Sequence, residues 1–355
     1  MRIIAEAAGM IERGHRVVLA CQPGARILEH ARDRGIETFA VRMGGAFDIL
    51  GIRRVRALIG KQAVSIVNTH SSRDSWCAGL AARLLSGVKI IRTRHLGVPI
   101  KPGFDSRLLY HIIPDVVVTA GEALRKHVIE QTGASPESVL SIPTGIDLQV
   151  FDPSRADGDG FRAGLGLSAE TPLIGTAGML RGKKGHSYFL EAAEGVLRQI
   201  PEAKFVIVGD IAFESPIKRL LSEHIARLGI EGSVIMPGYR SDMPGVMAAM
   251  DVFVLPSLAE GVSQVVNQAL AMKRPVVATN VGGLPEQIID GVTGILVEKA
   301  NSEQIRDAVL ALLSNPDDAR RMGENGRKLV EEKYSLEGML DATEALYRRL
   351  LAVQA

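Results

Sequence analysis

VFVLPSLAEGVSQVVNQALA, at residues 252–271, decides the fold of this chain. The apolar run 252–255 predicts a strand that is buried on both faces, which is typical of a parallel sheet. Pro256 ends this strand, a turn containing Glu260 follows, and Ser263 is placed to cap a helix that contains Gln268. Free N–H groups at the start of a helix bind anions, so this strand, turn and helix also predict a phosphate site.

The same alternation runs along the whole chain. Further apolar runs predict strands, and amphipathic segments between them predict helices. The other predicted strands are residues 17–21, 38–41, 65–68, 89–93, 115–119, 139–142, 173–177, 204–208, 233–236 and 275–279. Alternation of this kind predicts the α/β class with doubly wound parallel sheets.

A turn-rich stretch at residues 151–160 interrupts the alternation and predicts a domain boundary. A length of 355 residues is sufficient for two domains, each with its own core. We therefore predict a first domain at residues 1–152, with residues 338–355 packing back onto it, and a second domain at residues 153–337. Two such sheets would face a shared cleft lined by the loops that follow the strands, where open α/β sheets bind ligands.

The composition excludes several classes of protein. Hydrophobic residues make up 46% and charged residues 23%, as in an ordinary globular protein. No apolar run reaches the length of a membrane-spanning helix, and the first residues do not resemble a secretory signal, so we expect a cytoplasmic location. Aromatic residues make up only 4% and are not interleaved with basic ones, which argues against binding of nucleic acid.

Positive charge is concentrated in the first half of the chain. Residues 51–100 contain nine basic side chains and one acidic side chain. This excess indicates either an anionic partner, such as the inner face of the cytoplasmic membrane, or a solvated basic surface. The helix predicted at residues 49–60 combines apolar residues with Arg53, Arg54 and Arg56, so it either rests on anionic lipid or packs its apolar face on the sheet.

A second candidate site is the glycine-rich loop that follows the strand at residues 173–177. The sequence GTAGMLRGKKGH, residues 175–186, contains four glycines and the cations Arg181, Lys183 and Lys184 before a predicted helix. Glycines allow close backbone approach, and the cations can neutralise a diphosphate. On these residues alone, ordinary turn glycines explain the loop equally well. It matches neither the P-loop spacing nor the dinucleotide fingerprint, which argues against a NAD-dependent enzyme.

Four short motifs together carry a resemblance to a known family. They are Gly178 with Lys184-Gly185, the run 260–263 (EGVS), the run 281–286 (VGGLPE) and the run 144–147 (TGID). In this order and at these separations they resemble the family-4 retaining glycosyltransferases of the GT-B fold, over nearly the whole chain. Residues 92–95 (RTRH) are most similar to members that build lipopolysaccharide or other cell-surface glycans.

The resemblance implies transfer of a sugar from a nucleotide diphosphate sugar to a surface-glycan or lipid-linked acceptor. It implies that the second domain holds the donor and the first the acceptor, without a cofactor or metal. By the same resemblance Lys184 and Arg181 neutralise the leaving diphosphate, Glu260 binds donor-sugar hydroxyls, and His95 contacts the transferred sugar or the acceptor. The residues expected to line the donor site are Gly178, Gly238, Gly261, Val262, Ser263 and Gln268.

Two positions depart from the family pattern. The second carboxylate of its Glu-x7-Glu motif, which holds the ribose, is Gln268 here. An amide can still bind hydroxyls but without charge assistance, so we expect weaker ribose binding or a different nucleotide. Met179 stands where the family has an arginine, and Arg181 is the nearest substitute.

Several alternatives remain open at this stage. A non-hydrolysing epimerase of the same fold would need catalytic acids that the sequence does not display, and Met179 with Gln268 would suit a degenerate nucleotide-sugar binder. Asp157-Gly158-Asp159 spells a metal-binding signature, but no apolar strand precedes it, so we interpret it as part of the linker. His70, after a predicted strand, either lines the acceptor side or has a structural role.

The start of the chain also departs from the family. Members open with a strand and a glycine-rich loop, whereas residues 2–12 already predict the first helix and 17–21 the second strand. A first strand is normally central in such a sheet. We therefore expect a gap in the first sheet, a chain about 15–20 residues short at its N-terminus, and weak or absent transfer activity with nucleotide binding retained.

Overall fold

Parallel strands alternate with helices in the computed structural model, which describes residues 2–45, 48–95, 99–101, 103–209 and 216–352. The chain divides into two units, one formed by Met1–Gly145 with Leu336–Ala355 and the other by Ile146–Ser335. Each unit contains parallel sheets with helices between the strands. The α/β class that the alternation predicts is therefore confirmed.

The first unit contains six described strands in two parallel sheets. The strands are β1 (Val18–Cys21), β2 (Glu37–Ala40), β3 (Ile66–Thr69), β4 (Lys89–Arg94), β5 (Val116–Thr119) and β6 (Val139–Ser141). The helices are α1 (Arg2–Glu12), α2 (Ile27–Asp33), α3 (Ile49–Lys61), α4 (Ser72–Arg83), α5 (Phe104–Arg107) and α6 (Glu122–Thr132), with a π-helical turn at Leu108–Ile112. Strands β1 and β2 form one sheet and β3–β6 another, and among the described residues no strand joins them. This is the gap that we expected in the first sheet.

The second unit has one six-stranded parallel sheet in the order β12-β11-β10-β7-β8-β9. Its strands are β7 (Leu173–Ala177), β8 (Lys204–Val208), β9 (Val234–Gly238), β10 (Val252–Leu255), β11 (Val276–Thr279) and β12 (Ile295–Val297). Its helices are α7 (Gly158–Gly164), α8 (His186–Leu197), α9 (Pro216–Leu228), α10 (Met243–Ala249), α11 (Gln264–Ala271), α12 (Leu284–Gln287), α13 (Ser302–Ser314) and α14 (Pro316–Lys333). The last helix, α15 (Leu336–Ala352), belongs to the first unit. Strand β12 and the short helices α2, α5, α7, α10 and α12 were not predicted, because such short segments contain too few residues to establish a period.

Burial on both faces explains the continuous apolar runs in the sheet of the second unit. In β10, Val252 and Val254 belong to one hydrophobic cluster, whereas Phe253 and Leu255 belong to another. Successive side chains of a strand point to opposite faces, so a strand covered by helices on both faces is apolar throughout. Strand β10 lies between β7 and β11, and the loops after these three strands therefore come together at one edge of the sheet.

The final helix packs against the first one within the first unit. Met10 of α1 shares a buried cluster with Met339 and Leu340 of α15. Gly9 allows this close approach, because an added Cβ would lie only 2.4 Å from a Leu340 Cδ atom. Among the described residues, no helix has the length and apolar composition needed to cross a membrane.

Candidate active site

The loops that follow β7 and β10 bring a lysine and a glutamate together. Lys184 Nζ lies 2.6 Å from Glu260 Oε2, and the two side chains are only 14% and 13% exposed. Ser257 donates a second hydrogen bond to the same carboxylate oxygen at 3.1 Å. Strands β7 and β10 are neighbours in the sheet, so residues 76 positions apart meet here. The sequence predicted both charged groups but not their contact.

Backbone contacts hold these two loops against each other. The Leu258 N–H donates to the Lys183 carbonyl oxygen at 2.7 Å. At Gly185, φ is +67°, and an added Cβ would lie 1.8 Å from the Pro256 carbonyl oxygen. Only glycine fits this approach. The lysine-bearing loop is therefore fixed directly against the turn that carries Glu260.

Two of the predicted donor-site glycines lie along one run of backbone contacts. Gly178 donates its N–H to the Val208 carbonyl oxygen at 2.9 Å. The next residue, Gly209, donates its N–H to the Gly238 carbonyl oxygen at 3.0 Å. Gly178 and Gly238 are thus connected through Gly209, a residue that the sequence analysis did not single out.

Ser263 is the N-cap residue of α11, as predicted, but its hydroxyl makes no capping hydrogen bond. The buried Gln287 side chain instead accepts the Ser263 N–H at 2.6 Å and donates to the Ser263 carbonyl oxygen at 2.8 Å. Gln287 also donates to Asn267 Oδ1 at 2.6 Å. The Ser263 amide is therefore used within the protein, whereas the first-turn amides of α11 lack their usual side-chain partner.

Gln268 lies one turn further along α11. Its Oε1 atom is buried and accepts no hydrogen bond from any residue that the structure describes. A buried acceptor without a donor costs free energy. A hydroxyl group of a bound ligand would remove this cost, so Gln268 is suited to binding a polyol such as ribose.

The loop 281–283 supports the turn that carries Glu260. At Gly282, φ is +56°, and an added Cβ would lie 1.8 Å from the Glu260 carbonyl oxygen. At Gly283, an added Cβ would lie 2.9 Å from the Gly261 carbonyl oxygen and 3.2 Å from the Val262 nitrogen. Close packing by these two consecutive glycines therefore fixes the backbone of residues 260–262 against the loop 281–283.

The other side chains singled out in the glycine-rich loop 175–186 differ in exposure. The Arg181 side chain is exposed, three residues before Lys184, and Met179 is 47% exposed. His186 begins α8 and is 6% exposed. Burial and the positive charge of Lys184 lower the pKa of His186 to about 4. This imidazole is therefore neutral at neutral pH and adds no charge to the loop.

Asp157, the first residue of the metal-like signature, has a structural role. Its carboxylate accepts the Gly160 N–H at 2.7 Å and caps the N-terminus of α7. Asp159 lies in the first turn of the same helix. Capping explains these acidic residues at a helix start.

In the first unit, the structure places His95 beside a second histidine. His95 follows β4 and His70 follows β3, and His70 Nδ1 lies 3.0 Å from His95 Nε2. The pKa of His95 is lowered to about 3, mainly by burial and further by electrostatic interactions with His70 and Arg2. Burial also lowers the pKa of His70, although Glu6 and Asp74 act in the opposite direction. Both rings are therefore neutral at neutral pH.

Sequence reasoning missed two side chains that support these groups, and it named His70 without its partner. Ser257 contacts Glu260, Gln287 occupies the Ser263 amide, and His70 pairs with His95. Ser257 lies within the motif itself and Gln287 directly follows the run 281–286, so both were visible as polar neighbours of a site. The contacts of Gln287 and His70 were not visible because each joins two different loops, and Ser257 and Glu260, which lie in one loop, meet only in the folded turn.

The two α/β units with parallel sheets, and the lysine–carboxylate pair at the strand ends of the second, fit the GT-B glycosyltransferases that the sequence resembles. The first unit matches the model of "Glycosyltransferase Family 4" over residues 2–150, and the second matches "Glycosyl transferases group 1" over residues 159–329. The chain belongs to this family of glycosyltransferases, as the four sequence motifs predicted.

Individual proteins are similar over most of the chain. The "Alpha-maltose-1-phosphate synthase" of Mycolicibacterium smegmatis is 28% identical over 319 residues, which cover 82% of this chain and 80% of the relative. The "UDP-Gal:alpha-D-GlcNAc-diphosphoundecaprenol alpha-1,3-galactosyltransferase" of Escherichia coli is 26% identical over 312 residues, covering 84% and 79%. The crystal structure of Anabaena HepE in complex with UDP is similar with a TM-score of 0.86 at 19% identity, covering 98% and 95%. These matches support a transferase and do not favour an epimerase or a degenerate binder.

Proposed function

We propose that this enzyme transfers a sugar, with retention of anomeric configuration, from a nucleotide diphosphate sugar to a lipid-linked or surface-glycan acceptor. The observation that carries the proposal is the Lys184–Glu260 pair, which lies at the strand ends of the second unit. A cation placed there suits a diphosphate, and a carboxylate beside it suits sugar hydroxyls. The relatives support this assignment, since the Escherichia coli enzyme is named for a UDP-galactose donor.

Lys184 supplies the main electrostatic contribution in the proposed reaction. The leaving nucleotide diphosphate gains negative charge as the glycosidic bond breaks, and a preorganised cation stabilises that charge. Glu260 holds Lys184 in place through their ion pair. When the donor binds, the ammonium group interacts with phosphate, and the carboxylate becomes available to accept hydrogen bonds from the sugar. Exposed Arg181 assists from the same loop, where Met179 offers no charge.

The nucleotide is held by residues around α11. Its first-turn amides face a phosphate group, and the partnerless Gln268 oxygen accepts a ribose hydroxyl. We propose that the backbones of Gly178, Gly238, Gly261 and Val262 line the donor site, where the three glycines have no side chain that would block a ligand. The UDP in the Anabaena HepE structure supports a uridine nucleotide as the first candidate. Lys184 and Arg181 neutralise the diphosphate, so we propose that transfer requires neither a metal nor another cofactor.

The first unit holds the acceptor, and His95 contacts it or the transferred sugar. The Escherichia coli relative is named for an acceptor on diphosphoundecaprenol, which supports a lipid-linked acceptor and a role in lipopolysaccharide or another surface glycan. Such an acceptor lies at a membrane, so we propose that the enzyme is cytoplasmic and works at the inner face of the cytoplasmic membrane.

Helix α3 offers the surface for this membrane contact. Val55 and Ile59 are buried, so most of its apolar face packs within the unit. Ile49 and Leu50 are 65% and 60% exposed at the start of the helix. Together with exposed Arg54, they form an apolar and basic surface that fits anionic lipid.

Product analysis tests the proposed activity. Purified enzyme is incubated with UDP-, GDP- and ADP-sugars in the presence and absence of undecaprenyl-diphosphate-linked saccharides. We expect release of a nucleoside diphosphate together with a new α-linked product, for an α-linked donor, only when both substrates are present. Formation of an epimerised nucleotide sugar, or tight donor binding without turnover on any acceptor, would contradict the proposal.

A further inference from the structure

The two neighbouring histidines of the first unit are joined edge to edge. Their ring centroids are 5.2 Å apart, the planes differ by 16°, and His70 Nδ1 lies 3.0 Å from His95 Nε2. Such a short nitrogen–nitrogen distance at this centroid separation requires both nitrogens to lie near the line between the rings. The rings are therefore nearly coplanar and share an in-line hydrogen bond, rather than being stacked face to face.

This hydrogen bond limits what His95 can offer to a substrate. Its Nε2 is occupied by His70, so only Nδ1 remains for a ligand. A neutral imidazole has one N–H donor and one acceptor nitrogen. The direction of the shared hydrogen bond therefore decides whether the remaining nitrogen of His95 donates or accepts.

Charged neighbours of the pair determine this direction. The Asp74 carboxylate of α4 lies against His70 and accepts its backbone N–H at 2.9 Å. Glu6 and Asp74 favour a proton on His70 and outweigh Arg2 of α1, whereas Arg2 is the charged side chain that disfavours a proton on His95. An N–H dipole is stabilised when its positive end points towards a carboxylate. His95 Nε2–H should thus donate to His70 Nδ1, which leaves His70 protonated on Nε2 and His95 Nδ1 without a proton.

Glu6 is held firmly in this position. It accepts hydrogen bonds from Asn68 Nδ2 and Tyr347 Oη, both at 3.1 Å, and from Arg2 Nε at 3.2 Å. Thr93 in turn donates to Asn68 Oδ1 at 2.8 Å. Helices α1 and α15 and strands β3 and β4 therefore place a fixed carboxylate near the histidine pair.

We propose that His70 is a positioning residue that fixes the tautomer of His95, so that His95 Nδ1 accepts a hydrogen bond from a hydroxyl group of the acceptor or transferred sugar. The role of His95 rests on the proposed function, whereas the tautomer itself does not. A fixed acceptor nitrogen orients the hydroxyl without any charged group, which suits a site where both rings are neutral.

Nitrogen-15 NMR of the histidine side chains tests the tautomer in the full chain. His95 and His70 are assigned from the spectra of the variants H95Q and H70N. In the wild type at pH 7.5 we expect His95 to carry its proton on Nε2 and to have an unprotonated Nδ1. In His70→Phe, which keeps a ring but removes the acceptor, His95 should become a mixture of tautomers. Protonation of His95 on Nδ1 in the wild type, or an unchanged His95 signal in the variant, would overturn the proposal.

Kinetics test the consequence. Removing the hydrogen-bond partner that orients a functional histidine typically costs about 10- to 100-fold in activity, and we expect this loss of kcat in His70→Phe. Nucleotide affinity should stay unchanged, since that site lies in the other unit.

His70→Asn places an acceptor oxygen where Nδ1 was, so it should recover most of the activity and the single His95 tautomer. If His70→Phe does not fold, His70→Asn becomes the test. Loss of activity in His70→Asn while His95 keeps its single tautomer would contradict the proposal. Lack of both transfer and nucleotide-sugar binding by the wild type would refute the proposed function and leave the NMR result to decide the tautomer.

Discussion

Lys184 and Glu260 hold each other, with their charged atoms 2.6 Å apart in a largely buried contact. Each group is the main partner of the other, and Ser257 is the additional donor to the carboxylate. In the proposed reaction, a substrate diphosphate would therefore meet a lysine that is already positioned. The same contact links the stability of the two loops to the residue that we propose stabilises the leaving diphosphate.

We expect Lys184→Ala to lower kcat by about 100- to 1000-fold, because loss of one preorganised contact to a developing anion raises the barrier by about 2.7–4 kcal/mol. Stability should fall less, by about 1–3 kcal/mol, since Glu260 loses its charged partner. Steady-state kinetics and urea unfolding measure the two effects. Lys328→Ala, on the exposed side of α14, is the control and should change neither. Normal turnover by folded Lys184→Ala would refute the role of this lysine.

A double variant separates the two functions of the pair. In Lys184→Met with Glu260→Gln, both charges are replaced by neutral side chains of similar size. No unpaired buried charge remains, so unfolding by urea should require nearly the wild-type concentration. Turnover should remain as low as in Lys184→Ala. Recovery of turnover in the double variant would mean that the single variant failed through loop disorder rather than lost charge.

Gln268 should contribute to nucleotide binding through its buried oxygen. We expect Gln268→Ala to weaken UDP binding by about 5- to 10-fold, the equivalent of one hydrogen bond of about 1 kcal/mol. Gln268→Glu should bind UDP more tightly than wild type and be less stable without it, because the new carboxylate is buried until hydroxyls reach it. Calorimetric titration and thermal unfolding with and without UDP check both effects. Equal UDP affinity in wild type and Gln268→Ala would contradict this assignment.

His186 makes stability depend on pH. Its pKa is about 4 in the folded protein against 6.5 as the ordinary value, so the unfolded chain binds the proton first as pH falls. The stabilisation is therefore complete above pH 6.5 and is lost progressively between pH 6.5 and 4. From pH 7 to pH 5 the contribution of His186 should decrease by about 2 kcal/mol. Urea unfolding at both pH values should show a smaller difference in His186→Gln, and an identical difference would refute the burial effect.

The start of α3 should bind anionic membranes. Sedimentation with vesicles of phosphatidylglycerol and phosphatidylcholine measures binding at low salt, which should weaken as salt rises. Each basic residue near such a surface contributes about 1 kcal/mol, so Arg53→Ala with Arg54→Ala should weaken binding by about 30-fold. Arg320→Ala with Arg321→Ala, in α14, is a control with the same loss of charge. Absence of binding at low salt would exclude this membrane surface.

Asp157 and Asp159 should affect stability but not catalysis. Loss of the N-cap in Asp157→Ala should cost about 1 kcal/mol of unfolding free energy. Turnover of Asp157→Ala with Asp159→Ala should equal that of wild type, also in EDTA. Activity that disappears with EDTA and returns with Mn²⁺ or Mg²⁺ would instead assign a metal to this reaction.

Local patterns in the sequence were sufficient to predict the class of fold, most strands, and several candidate site residues. Apolar runs reflect burial on both faces of a sheet, and a residue such as Ser263 marks the start of a helix, because these effects act between near neighbours in the chain. Three glycines, Gly185, Gly282 and Gly283, were part of the motifs that suggested the family.

Only the tertiary structure decided how these residues pair. Lys184 meets Glu260 because β7 lies beside β10, and His70 meets His95 because β3 lies beside β4. The Ser263 N–H donates to Gln287, although the sequence predicted it as part of a phosphate site. Strand order depends on packing of the whole sheet rather than on any local pattern, so side chains brought together by neighbouring strands carry no signature in the sequence around them.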